Sequence, residues 1–348
     1  MKQDTGHGKW EPPLSLFPDC QLRDVTSFED LIGAGSGIGE PKCDAEYCSP
    51  KPVSRVPCPV SLGTFSVPPT SNPGFCIIGP MTSVPAIELH DVSLSFDSKC
   101  VLTSVSFALG AGETLILLGV TGSGKSVLLK LILGLLKPDG GQILIEGQDI
   151  VPLPEASLQP LRLRMGIVFQ EGALFDSLSV FDNVAYRLRE DHWNDEAKIE
   201  ARVREVLRFV EMEQAIEKMP SELSGGMRRR VAIARTIISN PSIMLYDSPT
   251  GGLDPVTSQT INVLIAKLRD LQHVTSVVVT QRLQDAYVLA NYSYSAEKQG
   301  LIPLLPASEG NTRPPTRFVV LRDGGVYFNG SEQELTGSTD SYLRRFLA

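Results

Sequence analysis

The run Gly119-Val120-Thr121-Gly122-Ser123-Gly124-Lys125-Ser126 constrains this chain more than any other feature. It fits the spacing G-x-x-x-x-G-K-[ST]. It lies between an apolar stretch of strand character, Thr114 to Leu118, and one of helix character, Val127 to Leu136. Its glycines let the backbone wrap a polyphosphate with N–H groups turned inward, and the start of a helix adds a favourable dipole. Lys125 is placed to reach the β- and γ-phosphates, and the Ser126 hydroxyl to ligate Mg2+. Strand, loop and helix in this order predict a nucleotide-binding site.

A second motif narrows the choice. Leu223-Ser224-Gly225-Gly226-Met227 runs into an arginine-rich amphipathic segment, Arg228 to Ser239. Ser-Gly-Gly before a helix is another anion site, with free N–H groups, a positive dipole end and no side chain in the way. Taken alone it is also a plain helix cap. One domain does not need two cradles for one ATP. Two copies facing head to tail use both, each Ser224 turn closing on the nucleotide of the other.

With these two motifs in this order, the chain resembles the ATP-binding subunit of ABC transporters over residues 85–348. The resemblance implies an α/β fold: a phosphate-loop NTPase core with a parallel sheet, an antiparallel β-subdomain and an inserted helical subdomain, here 173–240. It implies ATP and Mg2+ as cofactors, with Ser224, Gly225 and Gly226 completing the nucleotide site across a dimer. Phe96 falls where the family stacks an aromatic on adenine. Gln170, after Gly166 to Phe169, matches the loop glutamine that touches Mg2+ and senses the membrane partner. Asp247 ends the apolar strand Ile243-Met244-Leu245-Tyr246, as the second Mg2+-linked motif requires. Gly252-Leu253-Asp254 matches the loop along the dimer seam.

The stretch Gln170-Glu171-Gly172-Ala173-Leu174-Phe175, with Val180-Phe181-Asp182-Asn183-Val184-Ala185-Tyr186 beyond it, is similar to the ATPase subunit of Mla-type phospholipid transporters. So is Gly226-Met227-Arg228-Arg229-Arg230. This implies lipid movement between envelope membranes, an integral-membrane permease and a lipid-carrier protein as partners, and a place on the inner face of the cytoplasmic membrane held through the permease. Cargo and direction stay open, as does the choice between a homodimer and a dimer with a second ATPase.

Two catalytic positions depart from the family. The glutamate expected after Asp247 as general base is Ser248, and the histidine expected after the later apolar strand is Gln281. A positioned base contributes roughly 10²–10⁴-fold, and a serine hydroxyl is a poor one near neutral pH. Gln281 carries no charge, but an amide can still orient water. Three accounts remain. The chain is a slow ATPase helped by Lys125 and Mg2+. Or it binds ATP, barely hydrolyses it, and pairs with or regulates an intact ATPase. Or another acid substitutes, Glu171 being nearest in sequence. An ABC ATPase for another solute and a stand-alone ATPase are further alternatives.

Net charge of −8 gives no basic footprint and argues against nucleic acid. No long heptad region separates the two phosphate motifs, which sets aside the coiled-coil ATPases of chromosome maintenance. No apolar run nears the roughly 18 residues of a membrane span, so attachment to a membrane is expected through a partner. The first 80 residues hold 12 of the 25 prolines and five of the six cysteines. The region 1–84 is read as a disordered or mis-assigned extension, with Met81 as the expected true start. Cys20, Cys43, Cys48, Cys58 and Cys76 lack C-x-x-C spacing, which argues against zinc, and disulfides are not expected beside an ATP site in a reducing cytosol. Nine Asp and Glu there fit a plastid transit peptide poorly.

Antiparallel strands are expected at 86–90, 92–96 and 102–109. Core strands are expected at 142–145, 166–169, 243–246 and 276–279, and a helix at 256–272. Residues 291–316 read as a loop insertion, followed by a closing hairpin (318–321 with 325–329) and a short last helix.

Overall fold

The computed structural model describes residues 84–97, 99–304 and 316–347. Expectations placed on residues 1–83, the five cysteines included, and on 305–315 lie outside the described residues.

Ile87–Phe96 (β1) and Lys99–Leu109 (β2) pair antiparallel. Asp91 takes a left-handed φ of 49° inside β1, so the two short strands expected at 86–90 and 92–96 form one irregular strand. Thr114–Gly119 (β3) is buried throughout, as a strand covered on both faces requires. Lys125–Ile132 (α1) follows and ends short of Leu136, because Gly134 turns the chain at φ 65°. Gly140–Ile145 (β4) and Gln148–Asp149 (β5) come next, then Glu155–Arg162 (α2) and Met165–Val168 (β6). The helical stretch holds Val180–Glu190 (α3), Glu196–Phe209 (α4) and Gly225–Ile237 (α5).

The core then resumes with Ile243–Asp247 (β7), Pro255–Gln272 (α6), Thr275–Val279 (β8) and Leu283–Asn291 (α7). Tyr292–Ser295 (β9) and Gly300–Pro303 (β10) form a hairpin of their own. Thr316–Arg322 (β11), Gly325–Ser331 (β12), Glu332–Thr336 (α8) and Ser341–Leu347 (α9) end the described chain.

Two sheets organise these elements. A six-stranded sheet runs β12-β11-β3-β8-β7-β6, parallel except for the β12 edge. A four-stranded antiparallel sheet runs β2-β1-β4-β5. The strand at 142–145, expected within the parallel core, is β4, and it pairs antiparallel with β1. Its apolar Ile143-Leu144-Ile145 reads like a buried core strand, and local pattern does not name a partner.

The alternation of β3 divides the interior. Ile116 and Leu118 face a core shared with α3 to α7, while Leu115 and Leu117 face one shared with α1 and the antiparallel sheet. Part of the insertion expected to be loop-like is the β9–β10 hairpin. It is fastened to α6 by the Tyr294 amide, which donates to Asp270 Oδ2 at 2.7 Å.

Candidate nucleotide site

The phosphate loop fills the gap between β3 and α1. Gly124 caps α1 at φ 93°, and a Cβ there would lie 2.6 Å from Leu102 Cδ2. Only glycine meets both conditions. With no side chain at the cap, the first-turn amides of α1 are open to an anion. The Lys125 ammonium folds back into the loop, donating to Gly119 O at 2.9 Å and Val120 O at 2.7 Å. It also approaches Ser123 Oγ at 3.4 Å. Burial pulls the Lys125 pKa below its ordinary value, and the charge of Asp247 draws it partly back.

Register brings the other groups to the same sheet end. Leu117 pairs with Val279, and Val279 with Asp247, so β3, β8 and β7 finish side by side. There the Ser126 hydroxyl donates to Asp247 Oδ1 at 3.1 Å. The Thr121 hydroxyl donates to Gln281 Oε1, also at 3.1 Å. Ser248 sits at φ 48°, its amide donating to Val279 O at 2.9 Å. Gln170 lies two residues past the Val168–Tyr246 pair, alongside Ser248. A Cβ on Gly251 would stand 3.4 Å from Gln170 Nε2. Among the described residues no hydrogen bond joins Gln170 to Ser126 or Asp247. Oxygen donors suit a hard cation such as Mg2+, and the adjoining Ser126 hydroxyl and Asp247 carboxylate fit one. Phe96, 44% exposed, ends β1.

The Ser-Gly-Gly turn stands apart from this cluster. Ser224 caps α5, its Oγ accepting from the Met227 amide at 3.3 Å. Gly225 and Gly226 begin that helix and pack on the seam loop and α6. A Cβ on Gly226 would come within 2.1 Å of Thr257 Cγ2, and one on Gly225 within 3.2 Å of Leu253 Cδ2. Close packing is therefore a second reason for these glycines. Among the described residues no hydrogen bond or ion pair links this turn to Lys125 or its loop. Asp254 caps α6, accepting from Val256 and Thr257 amides at 3.1 and 3.0 Å. Hydrogen bonds from Thr257 hold its carboxyl below the usual range.

Sequence reasoning missed a buried polar knot beside Gln281. Asp285, 4% exposed, accepts from the Thr250 hydroxyl and from Asn262 Nδ2 at 2.8 Å. Arg282 Nη1 donates to Ser258 Oγ at 2.6 Å and reaches Thr250 O and Leu253 O, each at 3.5 Å. The available signal was an aspartate on the apolar face Leu283, Ala286, Leu289 of α7. Arg229 was also missed: it is 3% exposed, and its Nη2 donates to Gly251 O at 3.2 Å.

A glycine-rich loop between a buried parallel strand and a helix, with an acid ending a neighbouring strand, defines a phosphate-loop nucleotide-binding protein. The family described as ABC transporter matches residues 102–251. The intermembrane phospholipid transport system ATP-binding protein MlaF of Escherichia coli K12 is 33% identical over 261 residues, covering 75% of this chain and 88% of that protein. The probable ribonucleotide transport ATP-binding protein mkl of Mycobacterium leprae is 40% identical over 201 residues, 58% of each chain. A dimeric ATP-binding cassette solved in a post-hydrolysis state with ADP and Pi superposes at a TM-score of 0.58. It is 29% identical and covers 70% of this chain and 98% of the cassette. The chain belongs to the ABC transporter family, as an ATP-binding subunit.

Proposed function

We propose that this chain is the ATPase subunit of a lipid transporter, working as a head-to-tail dimer with slow hydrolysis. In this reading ATP lies between Lys125 of one copy and Ser224 of the other. The eight residues Gly119 to Ser126 hold its phosphates, Phe96 stacks on the base, and Gly225, Gly226 and Asp254 border the site across the seam. Mg2+ would be held by Ser126 and Asp247 with Gln170 nearby, and would supply charge neutralisation at the phosphates. Asp247, Ser248, Gln281 and Gln170 are the candidate catalytic set.

One observation carries the reading. The bonds Ser126–Asp247 and Thr121–Gln281 tie three strand ends around Lys125, while Ser248 and Gln281 bring no charge to the hydrolysis positions. Such a site grips a nucleotide through Lys125 and loop amides but lacks a strong base. Glu171 is exposed, with Arg229 Nη2 3.9 Å from its carboxylate, which favours the first two accounts of hydrolysis over substitution by this acid.

Among the described residues no helix is long and apolar enough to cross a membrane. A permease partner is supported by a groove of about 360 Å3 next to Gln170, lined by Phe169, Phe175, Tyr186, Arg187 and Arg235. Phospholipid as cargo, a lipid-carrier partner and a place on the inner membrane face rest on the likeness to the E. coli protein. The same two uncharged positions support a second reading, an ATP-gated subunit that pairs with an intact ATPase.

ATP binding and phosphate release on one purified sample, with Lys125→Ala as blank, separate these readings. Binding with Lys125-dependent turnover supports the motor. Binding without turnover supports the gated subunit, and absence of binding ends both.

A further inference from the structure

The polar knot on α7 has no evident packing role. Asp285, Thr250, Asn262 and Ser258 are each at most 4% exposed. Burying a carboxylate is costly unless it is paired and hydrogen-bonded, and apolar residues of similar volume often pack there as well or better. A hydrogen-bonded polar network, however, fixes one arrangement of the elements that share it; here Asn262 Oδ1 alone of the carboxyl, hydroxyl and amide oxygens is buried without a hydrogen-bond partner among the described residues.

Its members come from α7, the 248–254 loop and α6, and the first two bear on the site. Gln281 meets the phosphate loop through Thr121. The next residue, Arg282, grips the backbone of the 248–254 loop at Thr250 O and Leu253 O. One helical turn on, Asp285 takes the Thr250 hydroxyl, and its Oδ2 lies 3.6 Å from Arg282 Nε. The loop so held begins at Ser248, whose amide bonds Val279 at the end of β8. It ends at Asp254, the cap of α6. Contact with the phosphate loop and position of the 248–254 loop are thus joined by one short segment, 281–285, whose last three residues open α7.

We infer that Arg282 and Asp285 are positioning residues that convey occupancy of the phosphate loop, read by Gln281, to the 248–254 loop through Thr250. The inference rests on the proposed nucleotide site but not on cargo, permease or rate of hydrolysis. A nucleotide phosphate entering beside Thr121 competes with Gln281 Oε1 for the Thr121 hydroxyl and accepts from Gln281 Nε2, and so shifts the amide. Arg282 and Asp285 move with it, and Thr250 follows.

The test is amide hydrogen exchange across 248–258 with and without a non-hydrolysable ATP analogue and Mg2+. It is run at a concentration where light scattering reports a monomer, so that dimer closure plays no part. Nucleotide affinity is measured on the same samples. Exchange in the natural chain should slow on binding by roughly 5- to 150-fold, the usual range for coupling between two sites. Thr250→Val keeps shape but loses the hydroxyl, and should bind the analogue with unchanged affinity while losing the slowing. Thr250→Ser should restore it, and Gln281→Ala should abolish it. A merely structural role predicts equal slowing in Thr250→Val and the natural chain, and that result overturns the inference. So does an unchanged exchange rate in a natural chain that binds the analogue. A chain that binds no nucleotide sinks the proposed function as well, and the affinity measurement tells the two failures apart.

Discussion

Ser126 and Asp247, 121 positions apart in the chain, share a hydrogen bond of 3.1 Å at the end of the parallel sheet. One stands at the start of α1 and the other at the end of β7, so this bond closes the floor of the proposed nucleotide site. On the proposed reading both oxygens would help to hold Mg2+, which would neutralise phosphate charge. Asp247→Ala should leave ATP affinity in the presence of EDTA nearly unchanged. It should weaken affinity with Mg2+ by at least about tenfold, consistent with hydrogen bonds to charged groups of roughly 1.5–3 kcal/mol. Titration with a fluorescent ATP analogue in both conditions checks this. Equal losses with and without Mg2+ would count against a metal role.

Lys125 gives a pH signature. Its pKa in the folded chain lies below the ordinary 10.5, chiefly because of burial. Between the folded value and 10.5 the unfolded chain holds more protons than the folded one, so stability of the empty protein rises with pH across that window. Below the folded value Lys125 adds no pH dependence. Nucleotide phosphates favour the protonated form, so ATP binding in the same window should take up a proton and weaken as pH rises. Calorimetry in two buffers of different ionisation enthalpy measures the uptake, and Lys125→Met should remove it.

Gly226 is required by packing as well as by any anion. Its Cβ would meet Thr257 Cγ2 at 2.1 Å, so Gly226→Ala forces α5 away from α6. Overpacking of this kind costs roughly 1–3 kcal/mol. Thr257→Ser deletes the clashing methyl and keeps the hydroxyl that bonds Asp254. Denaturant unfolding should show most of the loss recovered in the double variant. Additive losses would place the strain elsewhere.

The residues that were legible in the chain share one property: local backbone demands dictate them. Gly124 must take a positive φ, Asp247 ends a buried run, and Ser224 caps a helix. The groups left unread depend on pairings between distant segments. Nothing near Thr250 announces Asp285, and nothing near Ile143 says that β4 joins β1 and not the parallel sheet. The hairpin of 318–321 with 325–329 was readable, but the parallel pairing of β11 with β3 was not. The β9–β10 hairpin escaped because its strands are four residues each and half-buried, too short for alternation to register.

Ser248 is the position where one side chain should change the rate. It already holds a left-handed φ of 48°, a strain of about 1–2 kcal/mol that any L-residue there bears, so Ser248→Glu adds little backbone cost. The new carboxylate would follow Asp247 at the sheet end that carries Lys125 and Gln281. If the missing base limits turnover, phosphate release should rise by up to roughly 10²–10⁴-fold. The pH–rate profile should gain an acid limb from the carboxylate, with ATP affinity little altered. Phosphate release and affinity on the same variant test this. An unchanged rate would count against both the slow-motor and gated-subunit accounts and leave Glu171 as the acid to remove. In that case Glu171→Gln should abolish whatever turnover the natural chain has.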